Sequence, residues 1–311
     1  MGFTNMTDLK EMTEEIIKNS KRLIENKDVN VVVGYKNSNL PPFSKPHIAT
    51  TTDESDDCMF DVNSVHNLTL YLLQYLKENP GHKAGVILKG CDYKSLVVLV
   101  QERMIDRSRV EIIGFGCPGV IDPKKIVTID PDAYKVLSPE TVHDKCLYCD
   151  IKNTPDADIF IGEKMVAKPE RERYFREIEF FKGKSDKDLL DFWKGSFSTC
   201  IRCYACRQVC PMCYCDICIS YRNMPQWIDL SPSPVNNMLF HLRRAMCMAG
   251  RCTDCGECER VCPVGIPLRL MYNRISMKLE ELYDNYRAGM DIERKPILQD
   301  YNVSDMEDFI L

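Results

Sequence analysis

Two copies of one cysteine spacing, C-x2-C-x2-C-x3-C-P, constrain this sequence more than any other feature. The first copy comprises Cys200, Cys203, Cys206, Cys210 and Pro211, and the second comprises Cys252, Cys255, Cys258, Cys262 and Pro263. Thiolates are the soft ligands that zinc and iron–sulfur clusters prefer. A single C-x2-C pair fits either metal, but two full copies that each end in proline predict iron–sulfur clusters rather than zinc knuckles.

The spacing also predicts which thiolates share a cluster. In bacterial two-cluster ferredoxins the first three cysteines of such a run hold one 4Fe–4S cluster, and the fourth ligates the other. We therefore expect two 4Fe–4S clusters with crossed ligand sets. The predicted sets are Cys200, Cys203, Cys206 and Cys262 for cluster 1, and Cys252, Cys255, Cys258 and Cys210 for cluster 2.

Composition narrows the setting of these cysteines. The chain has 311 residues, 17 of them cysteine, and its amino terminus lacks the apolar stretch of a signal peptide, so metal ligation is a better explanation than disulfides. The formal charge of −5 and the dispersed basic residues give no nucleic-acid signal. Since no segment has the roughly 20 apolar residues needed to cross a bilayer, we expect a cytoplasmic protein without a membrane span.

The amino-terminal half alternates strand and helix patterns. Apolar runs predict strands at 29–35, 83–90 and 110–116, with helices at 7–26, 64–79 and 92–104. Asn63 or Ser64 is the expected cap of the helix at 64–79, and the segment 37–57, which contains three prolines, is expected to be a loop. This alternation predicts an α/β domain with a mostly parallel sheet.

The strand signal ends near residue 165, and helical patterns follow it. We expect three parts: an α/β domain over 1–165, a helical linker over 166–195, and an α-helical ferredoxin domain over 196–311. Helices are predicted over 236–250, with an asparagine cap, and over 266–289.

Four further cysteines of the amino-terminal half suggest a third metal centre. Cys91 and Cys117 follow consecutive predicted strands, where sites of open α/β sheets gather, and Cys146 and Cys149 form a C-x2-C pair. A 4Fe–4S cluster, a zinc ion and plain buried thiols all remain compatible with these four residues. Lys89 and Asp92 flank Cys91, where they could bind an anion or brace a cluster, but we expect them to be solvated.

Other residues near the motifs leave alternatives open. Cys213, Cys215, Cys218 and Cys247 are either structural thiols or part of an additional metal site, and Cys58 is expected to be unliganded. Arg202, Arg207, Arg251 and Arg260 border predicted ligands. They could donate hydrogen bonds to reduced clusters, steer an acidic redox partner or form a plain solvated face.

Two family resemblances extend these predictions. The long helical spacer between the motifs resembles the α-helical ferredoxins of succinate dehydrogenase iron–sulfur subunits and heterodisulfide reductase C subunits. The sequences KGCD, GCPGVID and CLYCD with ADIFIGE, within about residues 83–165, resemble the beta-subunit family of deazaflavin-reducing hydrogenases and formate dehydrogenases. That resemblance implies iron–sulfur clusters coupled to a flavin and to coenzyme F-420, although here the ferredoxin part follows the α/β part instead of preceding it.

These patterns predict an electron-transfer subunit of an anaerobic oxidoreductase complex. No residues suited to catalysis stand out, and no G-x-G-x-x-G loop supports binding of FAD. The expected partners are heterodisulfide-reductase-like, hydrogenase-type or formate-dehydrogenase-type subunits, or a soluble ferredoxin. The alternative is a flavin-containing subunit that itself exchanges hydride with F-420.

Overall fold

The computed structural model describes residues 6–40, 43–126, 137–167, 172 and 174–297. Within these ranges the amino-terminal half contains one five-stranded sheet, and the carboxyl-terminal part is helical. The predicted fold class is confirmed.

The sheet has the strand order β2-β1-β3-β4-β5. The strands are β1 (Val31–Asn37), β2 (Ser44–Ala49), β3 (Ala84–Leu88), β4 (Val110–Phe115) and β5 (Ile159–Ile161). Neighbouring strands pair in parallel except at β2, which is antiparallel to β1. Every residue of β3 is buried, as expected for a central parallel strand that is covered on both faces.

Strand β2 corrects one prediction, because it lies inside the segment expected to be a loop. Pro46 pairs with Tyr35 of β1 in this strand. Proline lacks an N–H group, and an edge strand tolerates it because one of its sides needs no partner strand. The prolines that suggested a loop are therefore compatible with the strand at the edge of the sheet.

Six α-helices of the described residues accompany the sheet. They are α1 (Met6–Glu25), α2 (Thr52–Ser55), α3 (Leu68–Glu78), α4 (Gly90–Gln101), α5 (Pro123–Ile126) and α6 (Asp144–Leu147). The predicted cap of α3 was wrong by about one turn, since the side chain of Asn67 accepts the hydrogen bond from the Thr69 amide. Asn63 instead bonds to Asp61 in the preceding turn.

The carboxyl-terminal part contains six more helices within the ranges that the structure describes. They are α7 (Phe175–Phe181), α8 (Asp186–Ser198), α9 (Ala205–Gln208), α10 (Pro234–Met248), α11 (Glu257–Arg260) and α12 (Leu268–Leu282). The cap of α10 is Ser233 and not an asparagine, because its hydroxyl accepts from the Asn236 amide and Pro234 occupies the first helical position.

One hydrophobic core runs through both parts. Buried residues of the sheet, such as Val86 and Leu88, belong to the same cluster as Cys206, Phe240 and Leu268 of the helical part. The division into domains at residues 165 and 195 stays a prediction. No helix in the described part of the chain is long and apolar enough to span a membrane.

Candidate iron–sulfur centres

The two cysteine motifs adopt the same local backbone. In the first motif Tyr204 has a left-handed conformation and directly precedes α9, and in the second motif Gly256 has one and directly precedes α11. The residues two positions earlier, Arg202 and Asp254, also have positive φ values, of 55° and 54°. This repeated turn brings the thiols before each short helix close to the thiol inside it.

The thiols predicted to hold cluster 1 lie near one another. Burial raises the pKa of Cys206, and the neighbouring Cys200 and Cys262 add to this against the opposing effect of Arg244, so that the pKa reaches about 11. Burial also raises the pKa of Cys200, to which Cys262 and Cys203 contribute. Cys262 belongs to the second motif and lies near Cys200 and Cys206 of the first, while the crossed ligand assignment stays a prediction.

The four thiols predicted to hold cluster 2 line one cavity. Cys210, Cys252, Cys255 and Cys258 surround about 400 Å³ of empty space, together with Arg244 and other residues. Thiolates are the preferred ligands of iron–sulfur clusters. The donor set of this cavity therefore fits a 4Fe–4S cluster.

Unsatisfied donors in the same cavity support this fit. The Arg244 Nε and Arg269 Nη1 atoms are buried without a hydrogen-bond partner, and both residues line the cavity. A buried donor without a partner is costly, and hydrogen bonds to cluster sulfurs are a common feature of iron–sulfur sites. These two donors are suited to such bonds.

The four amino-terminal cysteines line a second, larger cavity of about 970 Å³ that is partly open to solvent. Cys91 lies in the first turn of α4 directly after β3, and Cys117 follows β4. Cys146 lies in α6 and accepts a hydrogen bond from the Val120 amide, at 3.5 Å. The structure therefore brings together the four thiols that the strand ends suggested, and their donor set also fits a cluster.

Gly90 makes this arrangement possible. A Cβ atom at position 90 would collide with the backbone carbonyl oxygen of Ile151 and would lie 2.8 Å from that of Asn153. Only glycine permits such a close approach of two backbones. The loop that carries Cys149 can therefore lie against the start of the helix that carries Cys91.

Lys89 and Asp92 are not solvated, contrary to prediction. Both side chains are 1% exposed, and their ion pair spans 2.9 Å. Lys89 also donates to the carbonyl oxygens of Ser64 and His66 and to the hydroxyl of Tyr35. Lys89 directly follows β3, and its bonds to these carbonyl oxygens connect the end of the strand to residues 64–66. The ion pair therefore holds the backbone on either side of Cys91 in place.

The arginines that border the motifs do not form a solvated face. Arg202 is buried and donates to the carbonyl oxygens of Asn236 and Asp229. Arg251 pairs with Glu102 at the end of α4, and Arg260 pairs with Glu257. Arg207 is half-buried and donates to the carbonyl oxygen of Cys215. All four guanidinium groups therefore bond within the protein.

The thiols outside the three sets occupy different environments. Cys58 is fully buried, and burial raises its pKa to about 12. Cys213 lies beside Cys210 and Arg244, and a hydrogen bond from Cys210 lowers its pKa to about 6. Cys215 is exposed, whereas Cys247 contacts Arg243 on the same helix.

In the part of the chain that the structure describes, no three His, Cys, Asp or Glu side chains lie close enough to hold a single metal ion.

Sequence reasoning missed several buried polar residues around these sites. His241 is 1% exposed, and its Nε2 atom lies 3.4 Å from the Cys200 sulfur. Lys145 and Arg244 are buried beside predicted ligands. The sequence signal for these residues was their position. Lys145 stands next to Cys146, and His241 and Arg244 lie on the helix between the two motifs.

The fold and the cysteine geometry define an α/β protein with a ferredoxin-like iron–sulfur part, and comparison with known proteins agrees. Residues 200–212 and 252–266 match the family model of a 4Fe–4S binding domain. The chain therefore carries a 4Fe–4S binding domain.

Over most of its length the chain is a distant homologue of F420-dependent formate dehydrogenase beta subunits. It is 23% identical to that subunit of Methanocaldococcus jannaschii, over 80% of this chain and 85% of the relative. It is 25% identical to subunit beta of F420-dependent formate dehydrogenase 1 of Methanococcus maripaludis, over 81% and 84% of the two chains. A chain of the solved F420-reducing NiFe hydrogenase complex from Methanosarcina barkeri is 14% identical, with a TM-score of 0.41 over 57% of this chain and 77% of that one.

Proposed function

We propose that this chain is the iron–sulfur electron-transfer subunit of an F420-dependent formate dehydrogenase- or hydrogenase-type oxidoreductase. It would hold three 4Fe–4S clusters, of which two belong to the cysteine motifs and the third to an N-terminal centre formed by Cys91, Cys117, Cys146 and Cys149. Bound clusters of this type supply one-electron transfer. The chain's own residues hold them, exclude water and set their surroundings.

The observation that carries this proposal is a wall shared by the two cavities. Cys252, Thr253 and Asp254 line both the cavity of the second motif and the cavity of the amino-terminal cysteines. The amino-terminal cysteines therefore lie next to the predicted cluster 2, and α9 packs against α11 between the two motifs. This arrangement supports a continuous series in the order N-terminal centre, cluster 2, cluster 1.

The exposure of the cysteines suggests where electrons leave the series. Cys203 is exposed, whereas Cys206, Cys258 and Cys262 are buried. An exposed ligand allows a partner's cofactor to approach cluster 1 closely. We propose that a heterodisulfide-reductase-like subunit, a hydrogenase or formate dehydrogenase subunit, or a soluble ferredoxin contacts the chain on this side.

Iron analysis of anaerobically purified protein tests the proposal. Three 4Fe–4S clusters require about twelve iron atoms per chain, and two require about eight. Cys117→Ser should lower the content by about four atoms, because it removes one ligand of the N-terminal centre. Cys58→Ser is the matched control, since that buried thiol belongs to none of the three sets, and it should leave the iron content unchanged. A wild-type value near four would refute the two-motif assignment.

A second candidate function is favoured by the size of the larger cavity. It extends beyond the four cysteines to Tyr174, Ser276, Tyr286 and Met290 and is partly open to solvent. Such space suits the alternative in which a flavin binds here and exchanges hydride with F420. Extraction of the anaerobically purified complex would detect flavin by fluorescence, and a flavin-free complex that does not reduce F420 after flavin is added would refute this alternative.

A further inference from the structure

Several buried and half-buried cations of this chain have carboxylate partners. The pairs are Lys89 with Asp92, Arg251 with Glu102, Arg260 with Glu257, Arg269 with Asp254 and Arg287 with Asp150. Arg244 and Lys145 are only 4% and 9% exposed, yet, like the buried Arg202 and Lys94, they have no carboxylate of the described residues within ion-pair distance. A buried charge without a counter-charge is strongly unfavourable. Something else must therefore compensate these two cations.

Arg244 lies between the ligand sets of clusters 1 and 2. Its Nη2 atom donates to the carbonyl oxygen of Cys206 at 2.8 Å, and its Nη1 atom donates to the hydroxyl of Tyr272. The same side chain lines the cavity of Cys210 and Cys258, and its Nε atom has no partner. The guanidinium therefore contacts the backbone of one ligand set and faces the thiols of the other.

Lys145 occupies the equivalent position between cluster 2 and the N-terminal centre. Its ammonium donates to the carbonyl oxygen of Cys255 at 2.5 Å, and the side chain lines the cavity that contains Cys91 and Cys146. A Cβ atom at position 256 would lie 2.9 Å from the Lys145 Cδ atom. Gly256 therefore lets the lysine chain pass directly over the turn of the second motif.

The negative charge that acts on Lys145 comes from the thiolates of Cys91 and Cys146 and from the carboxylate of Glu257, which already pairs with Arg260. A cluster held by four thiolates is anionic, and it gains one more negative charge on reduction. A fixed positive charge nearby favours the reduced form, since net charge is one of the factors that set the potential of an iron–sulfur cluster.

We propose that Arg244 and Lys145 are the charge-compensating residues of the cluster series, each holding a positive charge between two neighbouring centres and raising the reduction potentials of both. Arg244 acts on clusters 1 and 2, and Lys145 acts on cluster 2 and the N-terminal centre. Cluster 2 lies between the two cations. The contribution of these two charges to the reduction potential is therefore larger for cluster 2 than for cluster 1 or the N-terminal centre. The proposal rests on the proposed function, because it needs the clusters to be present.

Redox titration monitored by electron paramagnetic resonance tests the proposal on Arg244→Gln and Lys145→Gln. Glutamine keeps a hydrogen-bond donor and removes the charge. Arg244→Gln should lower the potentials of clusters 1 and 2, and Lys145→Gln those of cluster 2 and the N-terminal centre. One unit charge removed at this range should change the reduced-to-oxidised ratio about tenfold at a fixed ambient potential, or about 59 mV for a one-electron couple.

Charge-retaining and remote variants separate the charge from the packing. Lys145→Arg and Arg244→Lys should keep potentials near those of the wild type. Arg243→Gln on the same helix, where the arginine contacts the non-motif Cys247, and Lys18→Gln on the exposed surface of α1 should shift no centre. Where a glutamine variant loses iron from one centre, the charge-retaining variant must restore it.

Three results would overturn the proposal: unchanged potentials in both glutamine variants, an equal shift of all centres, or charge-retaining variants that behave like the neutral ones. Failure of the proposed function gives a different result. An iron content near eight would mean that the N-terminal centre holds no cluster, which contradicts the proposed function. The effect of Arg244 on clusters 1 and 2 would still be measurable.

Discussion

Replacing Asp92 with asparagine should destabilise this protein strongly, because it leaves the buried ammonium of Lys89 without its carboxylate. The two side chains are each 1% exposed and 2.9 Å apart. Breaking a buried ion pair by removing one partner costs about 3–5 kcal/mol. Lys89 keeps its bonds to the carbonyl oxygens of Ser64 and His66, and asparagine fills the same volume. We therefore expect a loss near the lower limit, about 3 kcal/mol.

Urea unfolding under anaerobic conditions, followed by far-ultraviolet circular dichroism, would measure this loss. The matched control is Glu15→Gln, because Glu15 and Lys18 have the same sequence separation in a pair whose side chains are 50% and 74% exposed. That change should cost about 0.5 kcal/mol or less. The double variant Asp92→Asn with Lys89→Met should lose less stability than the two single losses added together, since it leaves no unpaired buried charge.

The reasoning would be refuted if Asp92→Asn cost no more than the surface control. It would also be refuted if the double variant lost as much as the sum of the single variants. Either result would mean that water reaches the ammonium of Lys89 and that the pair does not brace the segment around Cys91.

Three further predictions follow from other contacts. Cys215→Ser should leave the iron content unchanged, because that thiol is exposed and outside the three ligand sets; a loss of about four iron atoms would assign it a ligand role. Glu102→Ala should lower the free energy of unfolding by about 3 kcal/mol, because it leaves the guanidinium of Arg251 unpaired and removes the acceptor of the Tyr214 hydroxyl at 2.8 Å; a shift in the urea midpoint no larger than that of the Glu15→Gln control would contradict this. Burial and the neighbouring guanidinium of Arg260 lower the pKa of His66 to about 4, below its usual value of about 6.5. The folded state therefore binds this proton less readily than the unfolded state does. Stability is consequently lost as the pH falls below about 6.5. His66→Gln should therefore reduce the loss of unfolding free energy between about pH 7.5 and 5.5 by about 1.4 kcal/mol, measured by urea unfolding.

Local spacing was sufficient to predict the two motifs and three of the five strands in the described part of the chain. The ligand run is a local pattern, because three thiols within seven residues can meet around one cluster whatever the rest of the chain does. Strands β3 and β4 were equally clear, since apolar runs bounded by glycine leave few alternatives. Strand β2 was missed because its prolines are compatible with a strand only at a sheet edge, and the sequence does not state which strand lies there.

The sequence by itself determined the kind of ligand and the α/β class, whereas only the tertiary structure decided which charges are buried and what they face. Cys91 and Cys149 are far apart along the chain, and they line one cavity because β3 and β4 are parallel neighbours and Gly90 admits the loop at Ile151. Lys145 and Arg244 look like ordinary surface residues in the sequence. Their burial between the cysteine sets depends on packing between distant segments, and no local pattern encodes that packing.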